Sequence, residues 1–174
     1  MKYLITGPPG CGKTTLIKRF FAEFKNLKIA GFYTQEVRER GTRIGFSIYD
    51  SDFKFRGKLA SVNFKTPHQV GKYFVDIENF ESFLRTLNFK ESKIILIDEI
   101  GKMEVFSSYF NNLILEIINS DKIFIGTIAL KGTPFIEAIK KREGVKVFNM
   151  DLIRSDILFN LIKEEIWQKK VFME

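Results

Sequence analysis

The sequence predicts an α/β fold: a three-layer sandwich with a mostly parallel central sheet and an added antiparallel hairpin patch, one domain over residues 1–174. Three observations predict it. The chain opens with an apolar run, Tyr3-Leu4-Ile5, then a glycine-rich loop, then apolar residues spaced by three and four, so strand, loop and helix follow directly on one another. From residue 93 onward, short apolar runs alternate with amphipathic helical patterns, the signature of a parallel sheet covered on both faces. Between these parts, two runs of alternating polarity meet at Arg40-Gly41, as in a β-hairpin.

The loop is Gly7-Pro8-Pro9-Gly10-Cys11-Gly12-Lys13-Thr14, which fits G-x-x-x-x-G-K-[ST], the Walker A pattern of phosphate-loop (P-loop) NTPases. Its glycines let backbone N–H groups close on phosphate oxygens, and the following helix turns its positive end toward them. Lys13 is expected at the β- and γ-phosphates, the Thr14 hydroxyl on Mg²⁺ and Thr15 near the α-phosphate, with Pro8, Pro9 and Cys11 completing the cradle. A glycine-rich turn that merely starts a helix would leave the Lys-Thr ending and both flanks unexplained. Cys11 reads as a small side chain rather than a redox switch.

Taken in order, Leu16, Ile17, Phe20, Phe21 and Phe24 mark the first helix and residues 27–33 a second strand. The hairpin spans 37–49, and 53–59 extends it. Residues 61–72 show no clear period, and 72–75 read as a short strand. Phe80, Phe83, Leu84 and Leu87 place a helix over 77–87. Strands are expected at 93–97, 123–126 and 145–148, with helices at 106–118, 134–142 and about 153–168. Pro134 suits the first turn of its helix.

The strand at 93–97 ends in Asp98-Glu99, which sets a carboxylate at the C-terminal edge of the sheet, where such folds bind ligands. Asp98, in the Walker B position, is expected to hold Mg²⁺ with Thr14. Glu99 is expected to polarise the attacking water as a general base, making it catalytic together with Lys13. A Glu after the Asp favours the hydrolase branch, in which an extra strand separates the loop strand from the Asp strand. The run ending at Gly126-Thr127 is the candidate, and Thr127 becomes either a polar sensor of the γ-phosphate or a simple strand cap.

The run Asp98-Glu99-Ile100-Gly101-Lys102-Met103-Glu104 resembles the D-E-I-G-K-M-E signature of a small family of P-loop nucleoside-triphosphatases. That family is known from thermophilic bacteria and archaea, with a vertebrate cancer-related member. Gly31-Phe32-Tyr33-Thr34, Glu36-Val37-Arg38, Gly41, Arg43 and Gly45-Phe46 look like its second block, and the P-loop like its first. The resemblance implies Mg²⁺-dependent hydrolysis of ATP, GTP and other nucleoside triphosphates to diphosphates. It adds Ile100, Gly101 and Arg154 to the nucleotide contacts. One block departs: the family usually has Asn-Arg after its last strand, and here Ile153-Arg154 stands there, so Arg154 either meets phosphate or base or is solvated. Lys102 and Glu104 match without a role that position alone supplies.

Composition bounds the rest. The chain carries net charge +7, from 28 basic and 21 acidic residues, which suits a polyanionic ligand. Nineteen Phe read as core packing before base stacking. The lone Cys11 and lone His68 leave no cysteine cluster or metal site to build, and no run is long enough to span a membrane. A cytoplasmic monomer is expected. Two alternatives stand beside hydrolysis: a nucleotide or small-molecule kinase, for which 50–72 offers only Arg56 as a lid arginine, and an NTP-dependent RNA-binding protein.

Overall fold

The structure is a computed structural model that describes the backbone of residues 1–171 and the side chains of residues 1–169. One nine-stranded sheet runs through it in the order β5-β6-β4-β3-β2-β7-β8-β1-β9. The parallel half comprises β1 (Lys2–Thr6), the first part of β2 (Ile29–Glu39), β7 (Ile94–Ile100), β8 (Ile123–Ile128) and β9 (Val145–Asn149). The antiparallel half adds β3 (Thr42–Asp50), β4 (Phe55–Ser61), β5 (His68–Val70) and β6 (Tyr73–Val75).

The predicted alternation holds, with shifted edges. The second strand and the first hairpin strand are one element: β2 is parallel to β7 up to Tyr33–Asp98 and pairs with β3 from Phe32 to Glu39. The hairpin closes at Arg40 and Gly41, with φ of 47° and 79°, as a two-residue turn with both φ positive requires. The segment 61–72, without a period in the sequence, contains β5, a three-residue strand paired to β6. β8 lies between β1 and β7, the inserted position expected of it.

Five helices cover the sheet: α1 (Lys13–Phe24), α2 (Ile77–Thr86), α3 (Ser108–Asn119), α4 (Pro134–Lys140) and α5 (Ser155–Val171). The apolar stripes of α1 and α5 bury Phe20, Phe21, Phe24, Leu158 and Ile162 against Tyr3, Ile5 and Leu96 on one face. α2, α3 and α4 bury Phe80, Phe110, Ile114 and Ile136 on the other, around Phe32, Ile95 and Ile97. Phe32 meets Phe80, Phe83 and Phe110 edge-on at 5.6, 5.8 and 6.3 Å, the quadrupole-favoured arrangement. Core packing thus accounts for most of the phenylalanines. Asp76, Ser107 and Thr133 cap α2, α3 and α4 through their side-chain oxygens.

Where β2 crosses from the parallel to the antiparallel half, Gly31 opposes Leu96 with φ 150°. A Cβ there would sit 1.7 Å from the Leu96 carbonyl oxygen, so only glycine lets the two backbones pair. Gly31→Ala should therefore cost more than about 3 kcal/mol or abolish folding. Gly71→Ala, at φ 57° in the β5–β6 turn with nothing within 4 Å of the new methyl, should cost about 1 kcal/mol. Urea denaturation of both variants checks this; equal midpoints would refute the close-approach argument.

Candidate nucleotide site

β1 delivers the chain to the loop at residues 7–12, and Gly12 caps α1 in the left-handed conformation, φ 95°, without a side-chain cap. The first turn of α1 has no acid, so its N-terminal field is not neutralised from within. Lys13 Nζ donates to the Gly7 carbonyl at 2.9 Å and the Pro8 carbonyl at 3.0 Å, so its charge lies across the mouth of the loop. Pro9, Gly10 and Thr15 are exposed, while Pro8, Cys11, Lys13 and Thr14 are half-buried. The Cys11 sulfur lies 2.8 Å from where a Gly7 Cβ would be, so the small thiol packs into space that a glycine leaves.

Asp98 is the hub of the site. It is 2% exposed at the end of β7, accepting a hydrogen bond from Thr14 Oγ1 at 2.6 Å on one oxygen and from Thr127 Oγ1 at 2.5 Å on the other. Burial pushes its carboxyl up from the usual range; Thr127, Thr14, the Lys13 charge and the Thr34 backbone N–H pull it down. Thr127 was expected either to face the γ-phosphate or attacking water or to cap its strand. Its hydroxyl is fully buried and committed to Asp98, because β8 lies directly beside β7.

Glu99 follows across a cis peptide. Burial first, then the neighbouring Asp98 charge, raises its carboxyl to about 7 against the opposing pull of Lys13. Glu104, in a 3₁₀ turn at Glu104–Phe106, is 4% exposed and pushed well up, by burial and then by Glu99. A Cβ on Gly101 would lie 2.7 Å from Glu99 Oε1 and 2.8 Å from Glu104 Oε2, so this glycine makes room for two acids on one side of the loop. Ile100 is fully buried in the core and can offer the site only its backbone.

Arg154 is not brought to the loop: its side chain is 79% exposed and donates to Asp156 at the start of α5. Sequence reasoning passed over Met150, whose Cβ lies 3.3 Å from a Gly7 Cβ position and whose methyl lies 3.9 Å from that of Gly12, flooring the loop from beyond β9. It left Glu104 between orienting Glu99 and beginning the next helix, though an acid five positions past Glu99 and flanked by Met103 and Val105 is the signal that points to burial beside the site. Arg56, weighed as a lid arginine, is bound to the buried Asp50 at 2.5 Å on β4.

The chain is similar to proteins of known kind over nearly its whole length. A family model described as NTPase matches residues 2–163. Nucleoside-triphosphatase THEP1 of Thermotoga petrophila is 44% identical, covering 92% of this chain and 93% of that protein. The cancer-related nucleoside-triphosphatase of Homo sapiens is 39% identical, covering 84% and 86%. Among solved structures, the crystal structure of THEP1 from the hyperthermophile Aquifex aeolicus superposes with a TM-score of 0.79 at 32% identity, over 93% of this chain and 96% of that one. A P-loop ahead of α1, a strand inserted between β1 and β7, and this similarity over more than nine-tenths of the chain agree: the chain belongs to the NTPase family of P-loop nucleoside-triphosphatases.

Proposed function

We propose that this protein hydrolyses nucleoside triphosphates, ATP and GTP among them, to diphosphate and phosphate, with water as the acceptor and Mg²⁺ as cofactor. The observation that carries the reading is Glu99, a half-buried carboxylate of near-neutral pKa beside the Thr14–Asp98 hydrogen bond. A base poised near 7 takes a proton from water at neutral pH far better than an exposed carboxylate does. The Thr14 hydroxyl and the Asp98 carboxylate offer hard oxygen donors at one point, which fits Mg²⁺. When bound there, Mg²⁺ would neutralise charge on the β- and γ-phosphate oxygens.

Each residue then has a task. Lys13 leaves the loop carbonyls for the phosphate oxygens, exchanging two neutral acceptors for charged ones. Thr127 holds Asp98 in one orientation, and Glu99 accepts the proton as the water oxygen bonds to the γ-phosphorus and the β–γ bridging oxygen departs. Burial favours the neutral form of Glu104, which opposes a third negative charge beside Glu99. The motifs address phosphate and metal rather than a base edge, so discrimination among bases should be weak. We place the protein in the cytoplasm on the strength of its free cysteine. No helix among the described residues is long and apolar enough to cross a membrane.

Two outcomes test this. Glu99→Gln should lower single-turnover hydrolysis by roughly 10²–10⁴-fold while a fluorescent nucleotide still binds. Unchanged turnover would overturn the general-base role, and phosphate release appearing only with an added acceptor would make the protein a kinase. Glu104 governs stability. Its folded pKa lies above its unfolded one, so the folded state holds a proton that the unfolded chain gives up, and stability falls as pH rises above about 4.5. Each such group steepens that fall by up to about 1.4 kcal/mol per pH unit. Glu104→Gln should flatten it at pH values above about 4.5, read from urea midpoints of the nucleotide-free protein; an unaltered slope would mean Glu104 is charged in the fold.

A further inference from the structure

The antiparallel half carries a row of rings that the nucleotide site does not use. Tyr33 on β2 stacks on Tyr49 of β3, centroids 5.2 Å apart and planes 10° from parallel, and Tyr49 meets Phe55 of β4 edge-on at 6.0 Å. The three face one another in register across three strands. Phe53, in the turn before β4, rests on Phe21 of α1 and on Tyr33 at 6.3 and 5.9 Å. Exposure rises outward along the row: Tyr33 is buried and Tyr49 half-buried, while Phe53 is 44% and Phe55 57% exposed. α2 packs on the other face of β4, where its Asn79 donates to the Lys58 carbonyl.

Packing covers one side of each outer ring and leaves the other open. Phe53 has φ 62°, a left-handed conformation that strains a bulky side chain and that glycine or asparagine would adopt freely. The turn holds it there: the Phe53 N–H donates to the Asp50 carbonyl at 3.0 Å and the Asp50 N–H to the Lys54 carbonyl at 3.1 Å. The charges beside the rings are mostly positive. Lys54 and Lys58 are exposed, and Lys58 lies opposite Ser47, on the same face as Tyr49 and Phe55. Lys18 Nζ sits 5.2 Å over the Tyr33 ring at the inner end. Arg56 adds a cation held by the buried Asp50, and Asp52 is the single acid in residues 51–59.

We propose that this face binds single-stranded nucleic acid, with bases stacked on Phe55 and Phe53 and phosphates met by Lys54 and Lys58. Rings interleaved with cations on an open sheet face match a ligand whose π-faces and charges alternate. The net charge of +7 draws such a polyanion to the surface. An apolar protein surface would fill the ring row and leave the lysines unanswered. The row starts at Tyr33, which pairs with Asp98, and runs outward over β3 and β4, so its exposed end on Phe53 and Phe55 can be tested with the P-loop filled.

The test is fluorescence anisotropy with a 5′-hydroxyl, single-stranded pyrimidine oligonucleotide, in saturating ADP–Mg²⁺ so that the P-loop is occupied. Wild type should bind it saturably. Phe55→Ala should weaken binding by roughly 5- to 100-fold with ATP turnover and thermal midpoint unchanged, since the ring is 57% exposed and two strands out from Tyr33, the partner of Asp98. Lys54→Glu with Lys58→Glu should weaken it too and flatten the dependence of log K on log salt by about 1–2. Absence of saturable binding, or binding indifferent to Phe55→Ala, overturns the proposal. So does a dimer in sedimentation that Phe55→Ala dissolves, which would assign the face to a second copy of the chain.

Discussion

A buried carboxylate held by two hydroxyls is the constraint on which the rest depends. Asp98 gives up water at the end of β7, and an unpaired charge there would cost several kcal/mol. Its two oxygens are met from two separate places, Thr14 in the first turn of α1 and Thr127 at the end of β8. The strand order follows from that need as much as from packing: only with β8 beside β7 does the Thr127 hydroxyl arrive within bonding distance. The P-loop, β7 and β8 are thereby fixed to one another through a single side chain. Placement of the phosphate cradle relative to the acids is then a property of the sheet rather than of a flexible loop.

The acids beyond Asp98 break the ordinary rule that buried charges are paired. Glu99 and Glu104 both lie over Gly101; Asp98 raises the cost of ionising Glu99, and Glu99 that of Glu104. Such local conflict is what a site trades for reactivity, since a paired Glu99 would have too low a pKa to serve as a base. Gly101 is the permissive element, because any side chain there would drive the two carboxyls apart.

Whatever rests on local spacing was legible in the sequence. The P-loop, the Asp98-Glu99 pair and the inserted strand could all be read, because each is a short motif or a strand with clear flanks. Side-chain partnership across the sheet was not legible. Nothing local says that Thr127 serves Asp98, or that Met150 lies under Gly7 and Gly12, since both follow from strand order. β5 escaped because three residues after Pro67 are too few to show a period. The length of β2 escaped for the opposite reason: its two halves pair with different partners and so carry two different polarity patterns. Arg154 matched a family position, yet its guanidinium lies 79% exposed against Asp156, a contact that no spacing foretells.

The two margins of the sheet bear on how the protein behaves in a crowded solution. A nine-stranded sheet exposes two rows of unpaired backbone groups, each a template on which a foreign chain could grow. Here one margin is β5, only three residues long, with the part of β4 before Ala60 met instead by Asp76 N–H on the Leu59 carbonyl and the Asn79 side chain on the Lys58 carbonyl; the other is β9, where Lys146 reaches across to Glu165 of α5. A three-residue margin offers too few hydrogen bonds to seed a ladder, and a charged one is costly to cover. The long hydrogen-bonding strands, β2, β3 and β7, all lie in the interior. The sheet can therefore be wide without being sticky, and resistance to strand-by-strand aggregation is built into where its shortest pieces were put.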